Sequence, residues 1–110
     1  MRLLIASLLM LSGLGVFAQD NDLEASIKAA MAADIRTEAE VARDRNRKAP
    51  ETLAFFQLRD DMRVMELLPG GGWYTKILAP VLRENGELYV AIGIDNVRMN
   101  LQPEPGFDHI

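Results

Sequence analysis

The residues with most chemical content are Glu66-Leu67-Leu68-Pro69-Gly70-Gly71-Gly72. A carboxylate lies in an apolar run, and three consecutive glycines follow within a few positions. Glycine permits positive φ and lets the backbone approach a ligand with no Cβ in the way. Where such a turn opens into a helix, its backbone amides donate hydrogen bonds to polar or anionic groups. The pattern points to a nucleotide or nucleoside site, against the plainer alternative of a tight strand-to-helix turn. A P-loop closes on Gly-Lys-Ser/Thr, and Gly72-Trp73-Tyr74-Thr75 has no lysine there. A dinucleotide fingerprint has a third glycine where Thr75 stands, and that glycine serves close helix–strand packing. Its absence counts against pyrophosphate binding and makes a dinucleotide-dependent oxidoreductase the weakest reading. His109 is the sole histidine, with no second ligand in range, so no metal site is expected.

These residues need elements to position them. Arg63 to Leu68 reads as a short buried strand, broken by Pro69 and the glycines. Trp73 to about Leu82 returns to helix, with Trp73, Ile77, Leu78, Val81 and Leu82 on one face. Pro80 sits awkwardly inside it, since proline removes a helical hydrogen bond. Glu84-Asn85-Gly86 is a turn, and Glu87 to Ile92 is a second apolar strand. Strand, loop, helix and strand make one βαβ unit, whose right-handed crossover predicts parallel neighbouring strands.

Upstream, a helix is expected from Asn21 to about Asn46. Asn21 is its cap, Glu24 the capping-box partner, and Leu23, Ile27, Met31 and Ile35 its apolar stripe. Its basic end, Arg43 to Lys48, reads first as a solvated helix terminus and second as a contact for a bound anion. Pro50 opens a second short helix whose Leu53, Phe55, Phe56 and Leu58 are expected to be buried. Arg59-Asp60-Asp61 is a turn, and after Asn96 periodicity is lost. The expected organisation is a signal peptide over 1–18, a helical region over 19–61, a partial βαβ unit over 62–96 and an irregular tail over 97–110.

The signal peptide rests on Met1-Arg2, the apolar run Leu3 to Val16, and the ending Val16-Phe17-Ala18. The run is shorter than the roughly 20 residues of a membrane span. Cleavage is expected after Ala18, giving an exported, periplasmic or secreted, chain with no stable membrane span. With 12 basic and 16 acidic residues the whole chain carries a net charge of -4, and loss of Arg2 makes it more negative. That balance argues against nucleic acid as a partner, which calls for a basic face. There is no cysteine, so neither disulfides nor thiolate zinc sites are available.

The stretch Glu66 to Gly72 also resembles motif I of class I S-adenosylmethionine-dependent methyltransferases, an acid followed by G-x-G-x-G. The acid and the last two glycines match, while Leu68 stands where the first glycine usually is. Arg43-Asp44, Pro50 to Phe56 and Val64 to Pro80 together resemble a family of predicted bacterial methyltransferases that also carry signal peptides. The likeness spans roughly Arg36 to Ala91 and includes the awkward Pro80. It implies a Rossmann-like α/β sheet of seven strands, here incomplete, with S-adenosyl-L-methionine laid over the glycine loop. Gly70, Gly71 and Gly72 would line the cofactor, and Glu66 would sit beneath its amino group. The acid that holds the ribose usually falls near Ile92, and the nearest here is Asp95. Trp73 and Tyr74 read first as core and second as braces for the cofactor.

The resemblance implies a partial chain, inactive alone, with an unspecified methyl acceptor and no catalytic residue among these positions. The alternative is a non-enzymatic exported α/β protein that keeps the glycine loop only as a structural turn. Two strands with one crossover helix are expected to be marginally stable and to leave an open sheet edge suited to self-association. Gly72→Val is expected to weaken ligand binding by placing a branched Cβ against the ligand.

Overall fold

The computed structural model describes the backbone of residues 14–110 and the side chains from residue 20. Most of the expected signal peptide therefore lies outside the described residues. Helix α1, Leu14–Met31, runs without a break past Ala18 and through Asn21, so Asn21 is not a cap. The expected stripe does face the interior. Ile27 and Ala30 are buried, and Leu23, Met31 and Ile35 pack against the core.

The single long helix expected from the sequence is three pieces. Arg36 breaks it: its guanidinium donates to the Met31 carbonyl at 2.6 Å and forms a buried ion pair with Asp44. Cations at a helix C-terminus satisfy carbonyls that have no partner within the helix. The chain restarts at Thr37, whose side chain and Glu40 form a reciprocal capping box for α2, Glu38–Ala42. A single turn, α3, Asp44–Arg47, ends on Lys48 at φ 47°. Helix α4, Ala49–Phe55, then starts with Pro50 in its first turn, as expected. Only Leu53 and Ala49 of α4 are buried. Phe55 and Phe56 are exposed, contrary to expectation. So short a helix turns one narrow face inward, and the two rings instead meet edge to face at 5.3 Å.

The expected βαβ unit forms. Strands β1, Arg63–Leu67, and β2, Glu87–Ala91, lie parallel, with Arg63 opposite Glu87 and Leu67 opposite Ala91. The fold is therefore α/β, helices with a small two-stranded parallel sheet. Helix α5, Thr75–Leu82, connects the strands and is the centre of the core. Its Thr75, Ile77, Leu78, Ala79, Val81 and Leu82 are all buried, against α1 on one side and the sheet on the other. Pro80 is tolerated on the exposed side of α5, which continues through it.

The segment expected to be an irregular tail begins with a regular turn and sends three side chains into the core, while 102–110 is turn and loop. Val97–Leu101 forms a π-helical turn, and Val97, Leu101 and Phe107 join the core. Gln102 donates to the Ile110 carbonyl at 2.9 Å, and His109 Nε2 lies 3.0 Å from the Ala79 carbonyl. The expectation of marginal stability counted none of this packing. One face of the sheet has no cover among the described residues: Met65, Leu67 and Tyr89 are exposed there. Among the described residues, no helix is long and apolar enough to cross a membrane.

Gly86 fixes the return from α5 into β2. A Cβ at this position would lie 2.6 Å from the carbonyl oxygens of both Asp60 and Met62, which are backbone and cannot swing away. Overpacking of this kind costs typically about 1–3 kcal/mol. Gly86→Ala is expected to lower unfolding free energy by about 2–3 kcal/mol in a urea titration. Gly71→Ala, where the added methyl meets nothing within 4 Å, is expected to leave stability unchanged.

Candidate functional site

The glycine loop forms where the sequence places it, at the carboxyl end of β1. Its three glycines do different work. Gly70 and Gly71 are exposed, and a Cβ on either would point into open space. Neither N–H has a hydrogen-bond partner among the described residues. Gly72 is buried at φ 88°, and its Cβ would meet Leu101 at 3.3 Å and Thr75 at 3.7 Å. The expectation for Gly72→Val is corrected accordingly: the substitution would strain the protein interior, not a ligand.

Leu68 supplies a physical link to the missing first glycine. Its φ is 56°, the left-handed region that favours glycine. The backbone thus keeps a glycine-like conformation although the residue is leucine. Ile92, past the end of β2, has φ 66°, and a β-branched residue there is a genuine outlier. The Leu68 N–H donates to the Ala91 carbonyl at 3.0 Å, so the ladder holds the two strand ends together. Non-glycine residues in this region cost of order 1–3 kcal/mol each and tend to cluster where ligands bind.

A cleft of about 530 Å³ opens at the carboxyl end of β1, lined there by Leu67, Leu68 and Pro69. Its floor includes Glu66 and its rim Gly70 and Gly71, while Arg43, Arg47, Trp73 and Tyr74 form the facing wall. Thr75 Oγ1, fully buried, donates to Glu66 Oε2 at 2.6 Å. Burial pushes the Glu66 carboxyl above the ordinary carboxylate range, and the Thr75 hydrogen bond and the Arg47 charge oppose that shift. Thr75, weighed in the sequence only as a missing glycine, therefore orients the acid.

The wall is tied to the loop by a second set of contacts. Lys76 Nζ pairs with Glu40 at 2.9 Å, and the Trp73 indole N–H donates to the Glu40 carbonyl at 2.9 Å. Burial raises the Glu40 carboxyl, but the Thr37 N–H and Lys76 outweigh it and hold the group below its ordinary range. The Arg47 guanidinium lies 4.9 Å from the Trp73 ring centre and 5.8 Å from that of Tyr74. Arg43 and Arg47 have no carboxylate within ion-pair distance among the described residues. Trp73 is buried, as its first reading has it, and also lines the cleft.

Of the candidate residues, Glu66, Gly70 and Gly71 meet at the cleft, Gly72 supports it from behind, and Asp95 does not line it. Asp95 is exposed, just ahead of the π-helical turn. Thr75 was missed as a site residue, and Arg47 was offered only in the second reading of the basic run, as a contact for an anion. Basic runs are common at helix ends, and nothing in spacing alone ties either residue to Glu66. A larger groove of about 730 Å³ between α1 and α4 is walled by helical side chains such as Leu23, Ile27 and Leu53, and lacks a glycine loop. No group of three or more metal-ligating side chains occurs among the described residues. Comparison with known protein families, curated proteins and solved structures finds no match to the chain.

The environment of Glu66 predicts a pH dependence. A carboxyl whose folded pKa is raised binds its proton more tightly when folded, so its contribution is fully present below the unfolded value of about 4.3. That contribution is lost as pH rises through the higher folded value. Glu66→Gln keeps an oxygen for the Thr75 hydroxyl and removes the titration. Unfolding titrations across this range are expected to show the variant gaining stability relative to the parent as pH rises. A constant difference contradicts the assignment of burial as the cause.

Proposed function

We propose that the cleft at the carboxyl end of β1 is the cofactor site of a Rossmann-like, S-adenosylmethionine-dependent methyltransferase fold carried by an exported chain. The observation that supports this most is the set of groups gathered at the carboxyl end of β1, whose neighbour β2 runs parallel to it. Ligands of open parallel sheets bind in that crevice. Here it holds a half-buried carboxylate, two backbone amides with no partner among the described residues, and an arginine over two aromatic rings.

S-adenosylmethionine carries an ammonium, a sulfonium and a carboxylate beside its nucleoside. Glu66 fits the cationic groups. The Gly70 and Gly71 amides, with Arg47, fit the carboxylate, since charge-assisted hydrogen bonds to such groups are the strong ones. The open Cβ positions of Gly70 and Gly71 give the ligand room against the backbone. When bound, the cofactor supplies an electrophilic methyl group. The chain's own part is to hold that group in a fixed direction, because positioning supplies much of the rate in such displacements. Asp95 has no part in this reading, and no residue here is assigned to the methyl acceptor.

The rival reading is a non-enzymatic exported protein with a structural turn. It draws on Gly72, whose conformation serves packing, and on Glu66, which already has a protein partner. Titration calorimetry separates the two. The parent chain is expected to bind S-adenosylmethionine and to give no heat with NAD. Gly71→Val is expected to weaken binding at least tenfold, about 1.4 kcal/mol, with the fold intact by circular dichroism. Absence of binding by the parent, or unchanged affinity in the folded variant, leaves only the structural turn.

A further inference from the structure

The uncovered face of the sheet carries its own complement. Side chains alternate along a strand, and paired residues of a parallel ladder share a face. Arg63, Met65 and Leu67 of β1 therefore stand beside Glu87, Tyr89 and Ala91 of β2. The other face, with Leu88 buried, lies against α5 and the core. On the open face Met65 is 63 % exposed, Leu67 59 % and Tyr89 50 %. Parallel sheets normally have both faces covered, and contiguous exposed apolar groups mark interaction surfaces.

We propose that this face binds a second copy of the chain, sheet on sheet, about a two-fold axis parallel to the strands. Such an axis lays β1 of one copy over β2 of the other with the strands running the same way. Because the in-chain register is direct, the same pairs recur across the interface. Arg63 meets the partner's Glu87, Met65 meets the partner's Tyr89, and Leu67 meets the partner's Ala91. Opposite charges face each other twice, and each larger aliphatic group faces a ring or a smaller one. Within one copy Arg63 and Glu87 already pair at 3.2 Å, so docking joins two ion pairs into a four-charge cluster. Aligned sheets pack about 10 Å apart, a distance that interdigitated side chains of this size fill.

Charge complementarity selects the occupant. A face with one cation and one anion at matched positions on two strands is self-complementary under this symmetry, as a two-fold interface requires. A uniformly charged partner or an anionic lipid surface would meet one of the two charges with its own sign.

The test uses sedimentation velocity on the chain as the cell produces it. The parent is expected to be a dimer. Arg63→Glu alone places like charges across the interface, and so does Glu87→Arg. Each is expected to be monomeric, with a dissociation constant at least tenfold above the parent's. An equimolar mixture of the two restores opposite charges at both contacts and is expected to form a one-to-one dimer. Repair of the in-chain pair cannot produce that result, because each copy still carries its own like-charged pair. Leu67→Lys is expected to be monomeric alone and when mixed with either variant. A monomeric parent, single variants as dimeric as the parent, or a mixture that stays monomeric each overturn the proposal.

Discussion

Every group that reaches the cleft depends on the burial of one short helix. α5 packs against α1 on one side and the sheet on the other, and Ile77, Ala79 and Leu82 are completely enclosed. Burying a large aliphatic side chain contributes about 1.5–3 kcal/mol, so rotation of this helix costs several such contributions at once. With α5 fixed, both of its ends are fixed. At its start, Thr75 must point toward β1, where its hydroxyl meets Glu66. At its end, Gly86 must pass against the carbonyls of Asp60 and Met62. The glycine loop is the chain left between β1 and this immobile helix. Its geometry is set by that packing together with the turn in which the Gly72 N–H donates to the Pro69 carbonyl at 2.9 Å.

Several unfavourable features meet at and beside the cleft. Leu68 and Ile92 hold left-handed conformations at adjacent strand ends, and the carboxylate below them is partly withdrawn from water. Each is unfavourable alone. They persist because the ladder bond from Leu68 to Ala91 and the hydroxyl of Thr75 hold them from opposite sides. The N-terminal helices complete the wall through Glu40, which accepts from Trp73 and pairs with Lys76.

The βαβ unit was legible from the sequence because its signals are local and agree with one another. Apolar runs, glycines and a turn recur in order, and the parallel pairing follows from the handedness of the crossover. The division of the N-terminal helix was not legible through periodicity, since the apolar stripe runs on to Ile35, past the helix end at Met31. The Thr37-Glu38-Ala39-Glu40 pattern was nevertheless a capping box in plain view. Asn21 and Glu24 offered the same spacing further upstream, where the helix had already begun. The tail was misread for a different reason. Val97 and Leu101 stand four apart, but a five-residue turn is too short to show a period, and Phe107 lies in a loop. Of the site, the acid and the glycines were legible, while Thr75 and Arg47 join it only through tertiary contact. Asp95 was chosen by its distance along the chain from the second strand, and in three dimensions that distance does not lead to the cleft.

The central claim is that this cleft receives a zwitterionic nucleoside through the backbone of its loop. Two-dimensional amide and carboxyl NMR during addition of S-adenosylmethionine tests it directly. The account predicts that the largest amide shifts fall on Gly70 and Gly71, that the Glu66 carboxyl resonance moves with them, and that Leu23 and Leu58 in the α1–α4 groove stay still. Shifts centred on that groove, or none at a large excess of ligand, would contradict it.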